Sequence, residues 1–414
     1  MLRWILATSC VVLAAGCATQ TSKSLDKRPL RGAALDAKAQ QLMAAAQVPG
    51  LALAVIENGR IVHLRAYGER NVAERLPLEA DTTMYAASLT KTMFAYAVMT
   101  LVDEGRIDLD RSIADYLPKP LPAYDKYADL AGDERWRKLT VRRLLDHTSG
   151  FPNFRFFTAK GYEPNAKLDF KFEPGSRFAY SGEGINLVQF VIENGLGIDV
   201  EQLVRERVFD RFGMRRSGMT WREDFATNVA LGYDETGKAL AHKQRSNARG
   251  AGSLDTTPAD FAGFLAGFAR CEGLSKNSCA EMRRPQIAIR SVQQFPTLAE
   301  DTTTANDSIK LAYGLGLAVY ESSRGPAWFK GGHDDGTNNL ALCLAASRDC
   351  VLILSNSSNA ESIFKYLVEA ALGETCLPWF WENYIPYDRP ELRGPEARAQ
   401  APVACARTAA NVSN

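Results

Sequence analysis

Apolar residues recur at helical spacing from Met93 through Phe94, Ala97, Val98, Leu101 and Val102, and stop before Gly105, which predicts a helix there. The same reading predicts an alanine-rich helix from Ala33 to Ala46, ended by Pro49-Gly50. It predicts further helices over Glu183 to Glu193, Val200 to Phe212 (closed by Gly213) and Glu361 to Gly373. Thr140 caps a short helix from Val141 to Asp146, and Thr257 caps another whose first position is Pro258. "DRSIADYLPKPLP" reads as a short helix and a proline-rich turn. "GLALAVIENGRIVHLRAYGERN" reads as two strands joined at Asn58-Gly59, a strong hairpin signal. Late in the chain, "YGLGLAVYE", "AWFKGG", "NNLALCLAA" and "CVLILSN" are strand-like runs too closely spaced for a crossover helix, so they are read as antiparallel. Strands at both ends with helices between predict an α/β (α+β) fold. One antiparallel sheet is completed by both ends of the chain and flanked by helices, and a mostly helical lobe, roughly 111–245, is inserted. Residues 151 to 178 are non-periodic and rich in Phe, Pro and Gly, which suits a binding loop. Residues past Arg389 read as a loose tail.

Composition changes this picture little. With 46% hydrophobic and 23% charged residues among 414, the chain is an ordinary folded protein with a large core. A net charge of +1 without a basic block argues against nucleic-acid binding. The N-terminus says more. Arg3 precedes an apolar run from Trp4 to Ala15 that is too short to span a bilayer and fits a secretory signal. Leu13-Ala14-Ala15-Gly16-Cys17 resembles a bacterial lipobox, with Ala14 where leucine is usual. We therefore read residues 1–16 as a lipoprotein signal, Cys17 as the lipidated residue and 17–34 as a tether; an ordinary cleaved signal is the alternative. The alanine after Cys17 points to the outer membrane in a Gram-negative cell.

Six further cysteines remain: Cys271, Cys279, Cys343, Cys350, Cys376 and Cys405. An even number in an exported chain favours disulfides over zinc, for which paired C-x-x-C units are missing. Their order suggests Cys271–Cys279, Cys343–Cys350 and Cys376–Cys405. The middle pair has the most support, because it would lie across a hairpin. We read no metal and no organic cofactor.

The chemistry centres on Ser88-Leu89-Thr90-Lys91. Ser88 and Lys91 are three apart at the start of the predicted helix, which puts them on one face. A serine hydroxyl is a poor nucleophile, and a neighbouring amine and a helix N-terminus both help it carry negative charge.

Taken together, the chain resembles the serine β-lactamase and penicillin-binding-protein superfamily, in its class C-related branch. The resemblance runs from about residue 35 to 370, through "YAASLTKTMFAYAVMTLVDEGRIDLDRSIADYLP", "LTVRRLLDHTSGF", "FEPGSRFAYSGEGINLVQFVIE", "VFDRFGMRRSGM", "GAGSLDTTPADFAGF" and "YGLGL" in order. It implies a β-lactamase/transpeptidase-like domain over 35–373, with 374–414 as a tail that a disulfide could tie down. It implies Ser88 as the acylated nucleophile, Lys91 as the group that helps remove its proton, and Tyr180 as general base and later proton donor. On that reading the phenol would need its pKa lowered by Lys91 and Lys330. Lys330-Gly331-Gly332 aligns with the family's Lys-Thr-Gly strand, and the backbone N–H of His333 would join that of Ser88 as the oxyanion hole. A register using His333 as the cation is the alternative. His147 would be structural.

Ser181 and Gly182 would line the substrate side. Gly331 stands where a Thr or Ser is usual, and Gly182 where class C enzymes have an asparagine. Both departures disfavour an efficient cephalosporinase. The resemblance implies a monomeric cell-envelope serine hydrolase acting on a small-molecule or muropeptide substrate, whether an ester, a D-amino-acid peptide or a β-lactam. The alternative is a slowly deacylating penicillin-binding sensor or scaffold.

Overall fold

The computed structural model describes residues 29–394, except residue 159, together with Cys405. The signal at 1–16, Cys17 and most of the 17–34 tether lie outside the described residues.

The hairpin at the start is as expected. β1 (Gly50–Glu57) and β2 (Arg60–Asn71) pair antiparallel, and Asn58 and Gly59 turn between them with φ of 48° and 74°, as a two-residue primed turn requires. The other strands of this sheet are β3 (Leu76–Pro77), β4 (Ile287–Ala288), β5 (Ala312–Tyr313), β6 (Ala318–Ser322), β7 (Gly325–Asp334), β8 (Thr337–Leu344) and β9 (Asp349–Ser355). Among the described residues they form one antiparallel sheet in the order β4-β5-β6-β7-β8-β9-β1-β2-β3. Leu51 of β1 faces Ser355 of β9, so the two ends of the chain meet at its centre.

One strand reading is corrected. "YGLGLAVYE" is not continuous but folds into β5 and β6 around a turn. Gly316 has φ of 77°, Gly314 N–H donates to Leu317 O at 2.8 Å, and Thr92 Oγ1 donates to Gly316 O at 2.7 Å. A Cβ on Gly316 would sit 2.5 Å from that of Ala95, so this turn docks on the helix carrying Lys91.

The longer helices are α1 (Ala33–Ala46), α2 (Leu89–Asp103), α3 (Gly182–Gly195), α4 (Pro258–Ala269) and α5 (Glu361–Leu372). Val200 to Phe212 is also continuously helical, through a π-helical turn at Arg205–Phe209, and ends at Gly213 with φ of 65°. α2 is buried on every side from Leu89 to Leu101, more than its apolar stripe implies. Its threonines make this tolerable by bonding carbonyls: Thr90 Oγ1 to Ala87 O at 2.6 Å and Thr100 Oγ1 to Ala97 O at 2.7 Å. α2 packs in one core with α3 and α4, while α1 and α5 cover the opposite sheet face.

The three disulfides join the cysteines in the expected order. Cys343 and Cys350 are paired across β8 and β9. The expectation of a tail from residue 374 is corrected. Cys376, Leu377, Trp379, Trp381, Tyr384 and Ile385 are buried in the core beneath α5 and the sheet.

Candidate active site

The turn into α2 holds Ser88 at the edge of the core. Ala87 has φ of 48°, a costly conformation for alanine of the kind that accumulates at functional sites. Flanking bonds fix it: Ala86 N–H donates to Leu254 O at 2.9 Å, and Asn339 Nδ2 donates to Tyr85 O at 3.1 Å. Ser88 is half-buried and occupies the N-cap position of α2. Lys91 Nζ lies 3.0 Å from Ser88 Oγ and donates to Ala251 O at 2.5 Å. Lys91 is only 1% exposed, and no carboxylate offsets its burial. Burial, reinforced by Lys330 and Arg249, pushes its ammonium well below the usual lysine range, towards the neutral amine that accepts a proton.

Tyr180 completes this group, its hydroxyl close to Ser88. The sequence reading expected nearby cations to lower its pKa. Both are present, with Lys91 Nζ and Lys330 Nζ each 4.9 Å from its ring centroid. Burial nevertheless dominates and raises the phenol well above its usual range. His147 supports the arrangement from behind: its ring packs 4.4 Å from that of Tyr180, and its Nδ1 accepts from Ser181 N–H at 3.1 Å. Burial, and then Lys91 and Lys330, hold it neutral.

β7 supplies the opposite wall. Lys330 and Gly332 face α2, while Gly331 and His333 face the other side of the sheet. This alternation gives the cleft to Lys330, and the exposed His333 ring instead packs 5.3 Å from Phe295. Burial lowers the Lys330 ammonium to about 8, against the opposing pull of Glu382. β6 pairs with β7 only as far as Phe329, so residues 330–334 have a neighbour strand on one edge alone. The two-residue turn Asp335-Gly336 makes Asp334 and Thr337 a hydrogen-bonded pair. By alternation the peptide groups of Gly331 and His333 point to the open edge. A Cβ on Gly332 would come within 3.2 Å of Ser88 N, so glycine lets the strand pass close to the nucleophile's amide.

The two glycine departures are filled positions. A Cβ on Gly331 would lie 2.2 Å from Tyr384 Oη and 2.9 Å from Glu382 Oε2, both carried by the segment after α5. Glu382 is buried, with Oε1 accepting from Gln294 Nε2 at 3.1 Å and Oε2 without a hydrogen-bond partner. We expect Gly331→Ala to lower the melting temperature by several degrees, corresponding to about 1–3 kcal/mol of overpacking. The loss should shrink in a Tyr384→Phe background, where the nearest Tyr384 atom becomes Cζ at 3.4 Å. Equal losses in both backgrounds, read by thermal melts, would contradict this contact.

At Gly182 a Cβ would meet the Phe154 ring at 2.5 Å, and its N–H donates to Asn153 Oδ1 at 3.0 Å. Ser181 does not line the cleft. It is fully buried, caps α3 by accepting from Gly184 N–H at 3.0 Å, and donates to Pro152 O at 2.9 Å.

The structure therefore brings together Ser88, Lys91, Tyr180, Lys330 and the β7 glycines. Sequence reasoning missed Ala251, Glu382, Gln294, Phe295 and Tyr384. Only the non-periodic 151–178 stretch, which holds Asn153 and Phe154, gave a signal.

A serine joined to a lysine and a tyrosine beside an open strand edge defines a site for serine-based acyl transfer. The family model described as Beta-lactamase matches residues 35–372, and the chain belongs to that family. It is 26% identical over 357 residues to Penicillin-binding protein 4 of Amycolatopsis lactamdurans, covering 83% of this chain and 90% of the relative. It is 27% identical over 234 residues to the ML-236A carboxylate methylbutanoyltransferase mlcH of Penicillium citrinum. That match covers 46% of this chain and 54% of the relative, so the chain spans about half the length of that acyltransferase. The octameric penicillin-binding protein homologue from Pyrococcus abyssi shares the fold with a TM-score of 0.66 and 24% identity, over 83% of this chain and 77% of that one.

Proposed function

We propose that the protein is an exported cell-envelope serine hydrolase that forms an acyl-enzyme on Ser88. One observation carries this reading: Lys91 Nζ lies 3.0 Å from Ser88 Oγ and 4.9 Å from the ring centroid of Tyr180, so the three groups share one site. Ser88 Oγ attacks the substrate carbonyl and gives its proton to Lys91. The oxyanion is held by the N–H groups of Ser88 and His333. Tyr180 passes a proton to the leaving group, and water then releases the acyl group by the reverse sequence. No cofactor enters these steps. Phe154 fills the place of an amide-binding side chain at Gly182. This favours an ester over a cephalosporin or a D-amino-acid peptide. Three disulfides support an oxidising compartment. In keeping with that, we read 1–16 as a signal and Cys17 as a lipid anchor on a monomeric domain. No helix among the described residues is long and apolar enough to cross a membrane.

A fluorophosphonate is expected to add one adduct on Ser88 by intact and peptide mass, with none on Ser88→Ala. Label on another residue would sink the assignment. The same intact mass reads a diacylglyceryl group on Cys17. A panel of p-nitrophenyl esters, nitrocefin and D-amino-acid amides then ranks substrates. An acyl adduct that persists for hours would instead support a sensor.

A further inference from the structure

We propose that Glu382 is a positioning residue for acyl transfer, the buried counter-charge that holds the Lys330 ammonium at the cleft from behind β7; this rests on the Ser88 reading above. The two groups meet at one glycine. Lys330 Nζ donates to Gly331 O at 2.6 Å, and Glu382 Oε2 lies 2.9 Å from where a Cβ on Gly331 would stand. Lys330 is 3% and Glu382 4% exposed. Taking either charge out of water is costly unless an opposite charge stands near it. The carboxylate has capacity to spare, because Oε1 accepts from Gln294 Nε2 while Oε2 has no hydrogen-bond partner.

Glu382 is also fixed to the cleft. Gln294 N–H donates to Trp381 O at 2.8 Å, and Trp381 Nε1 donates to Ser291 Oγ at 3.1 Å. The segment after α5 is thereby tied to the loop that carries Phe295. Phe295 packs 5.5 Å from Tyr180 and 5.3 Å from His333, which puts that loop against the reacting group.

Burial lowers Lys330 and raises Glu382, and each opposes the shift of the other. The groups around them do not replace this pair. Lys91 has the same sign as Lys330 and pushes against it. His147 and His333 are shifted below the ordinary histidine value, by burial and then by the two lysines, so neither changes charge above pH 7. Burial keeps Tyr180, Tyr313 and Tyr384 neutral, and Glu382 opposes their ionisation further. Glu361, in the first turn of α5, is pushed up to about 8 by burial, then by Glu382 and Glu235, and so is mostly protonated at neutral pH.

The test is the pH dependence of fluorophosphonate labelling in the full chain, as wild type, Glu382→Gln and Glu361→Gln. Without the carboxylate, Lys330 gives up its proton at lower pH, so the alkaline limb of the rate is expected to move down by about one pH unit. The rate should then fall about fivefold at pH 8 and stay within about twofold at pH 6.5. Glu361→Gln should leave the limb in place. A limb unmoved in Glu382→Gln, an equal loss at every pH, or the same shift in Glu361→Gln overturns the proposal. Should Glu382→Gln fail to fold, the double variant Glu382→Gln/Lys330→Met decides in a thermal melt. Recovery of a cooperative transition supports the pair, because no unpaired charge is then left buried, and an unfolded double variant overturns it. Labelled wild-type Ser88 with an unmoved limb refutes the counter-charge alone, whereas unlabelled Ser88 refutes both readings.

Discussion

Replacing Lys91 by methionine is expected to lower the rate of Ser88 acylation by about a thousandfold, within the range removed with a general base. Methionine matches the lysine stem in length and sits among Met93, Phe94 and the rest of the α2 core, so packing survives. The variant should melt at or above the wild-type temperature, because an amine that is 1% exposed is costly to bury. The pH profile carries a second signature. Lys91 is proton-free above its lowered pKa, so the wild-type rate should rise with pH on the acid side until the amine is neutral. It should fall again as Lys330 loses its charge near pH 8. Lys91→Met should lose the acid limb and keep the alkaline one. Stopped-flow rates of fluorophosphonate labelling from pH 5 to 9 measure both limbs. A variant within tenfold of wild type, with its acid limb intact, would return the role of base to Tyr180.

That division of labour marks where the sequence stopped informing. Ser88 and Lys91 were legible because three residues on a helix fix their separation, whereas the choice between Lys330 and His333 stayed open in the sequence until the strand's pairing was in hand. The upward shift of Tyr180 was not, because its cations can be named from sequence while its burial depends on His147 and Phe295 packed around it. Gly182 and Gly331 were legible as departures, but not as positions already filled. Each is occupied by a ring from elsewhere: Phe154 from 28 residues earlier in the chain, and Tyr384 from beyond the last long helix. Such fillings leave no periodic trace. The same holds for β5 and β6, where Gly316 breaks an apolar run because the turn must fit against Ala95. Local periodicity identified elements and nucleophile, and long-range packing decided the shape around the substrate.

A chain ending at Gly373 is expected not to accumulate as a folded protein, although every family motif in it is intact. Leu377, Trp379, Trp381, Tyr384 and Ile385 would be lost from the core, at roughly 1.5–3 kcal/mol for each buried side chain, or about 15 kcal/mol together as an upper estimate. That equals the whole stability of a typical domain. Their partners would be uncovered as well. Trp381 packs 5.9 Å from Phe178 and 6.2 Å from Phe329, and Tyr384 packs 5.3 Å from Phe364. Phe178 stands two residues before Tyr180 and Phe329 one before Lys330, so the damage reaches the site directly. Trp381→Ala grades the effect, with an expected cost of about 3–5 kcal/mol read from denaturant melts. Soluble 1–373 chain that melts cooperatively and labels on Ser88 at the wild-type rate would show the segment to be dispensable. Aggregation of that chain, together with a measurable loss in Trp381→Ala, would place residues 374–387 inside the catalytic domain, because the strand that carries Lys330 is then held from behind by the segment that carries Glu382.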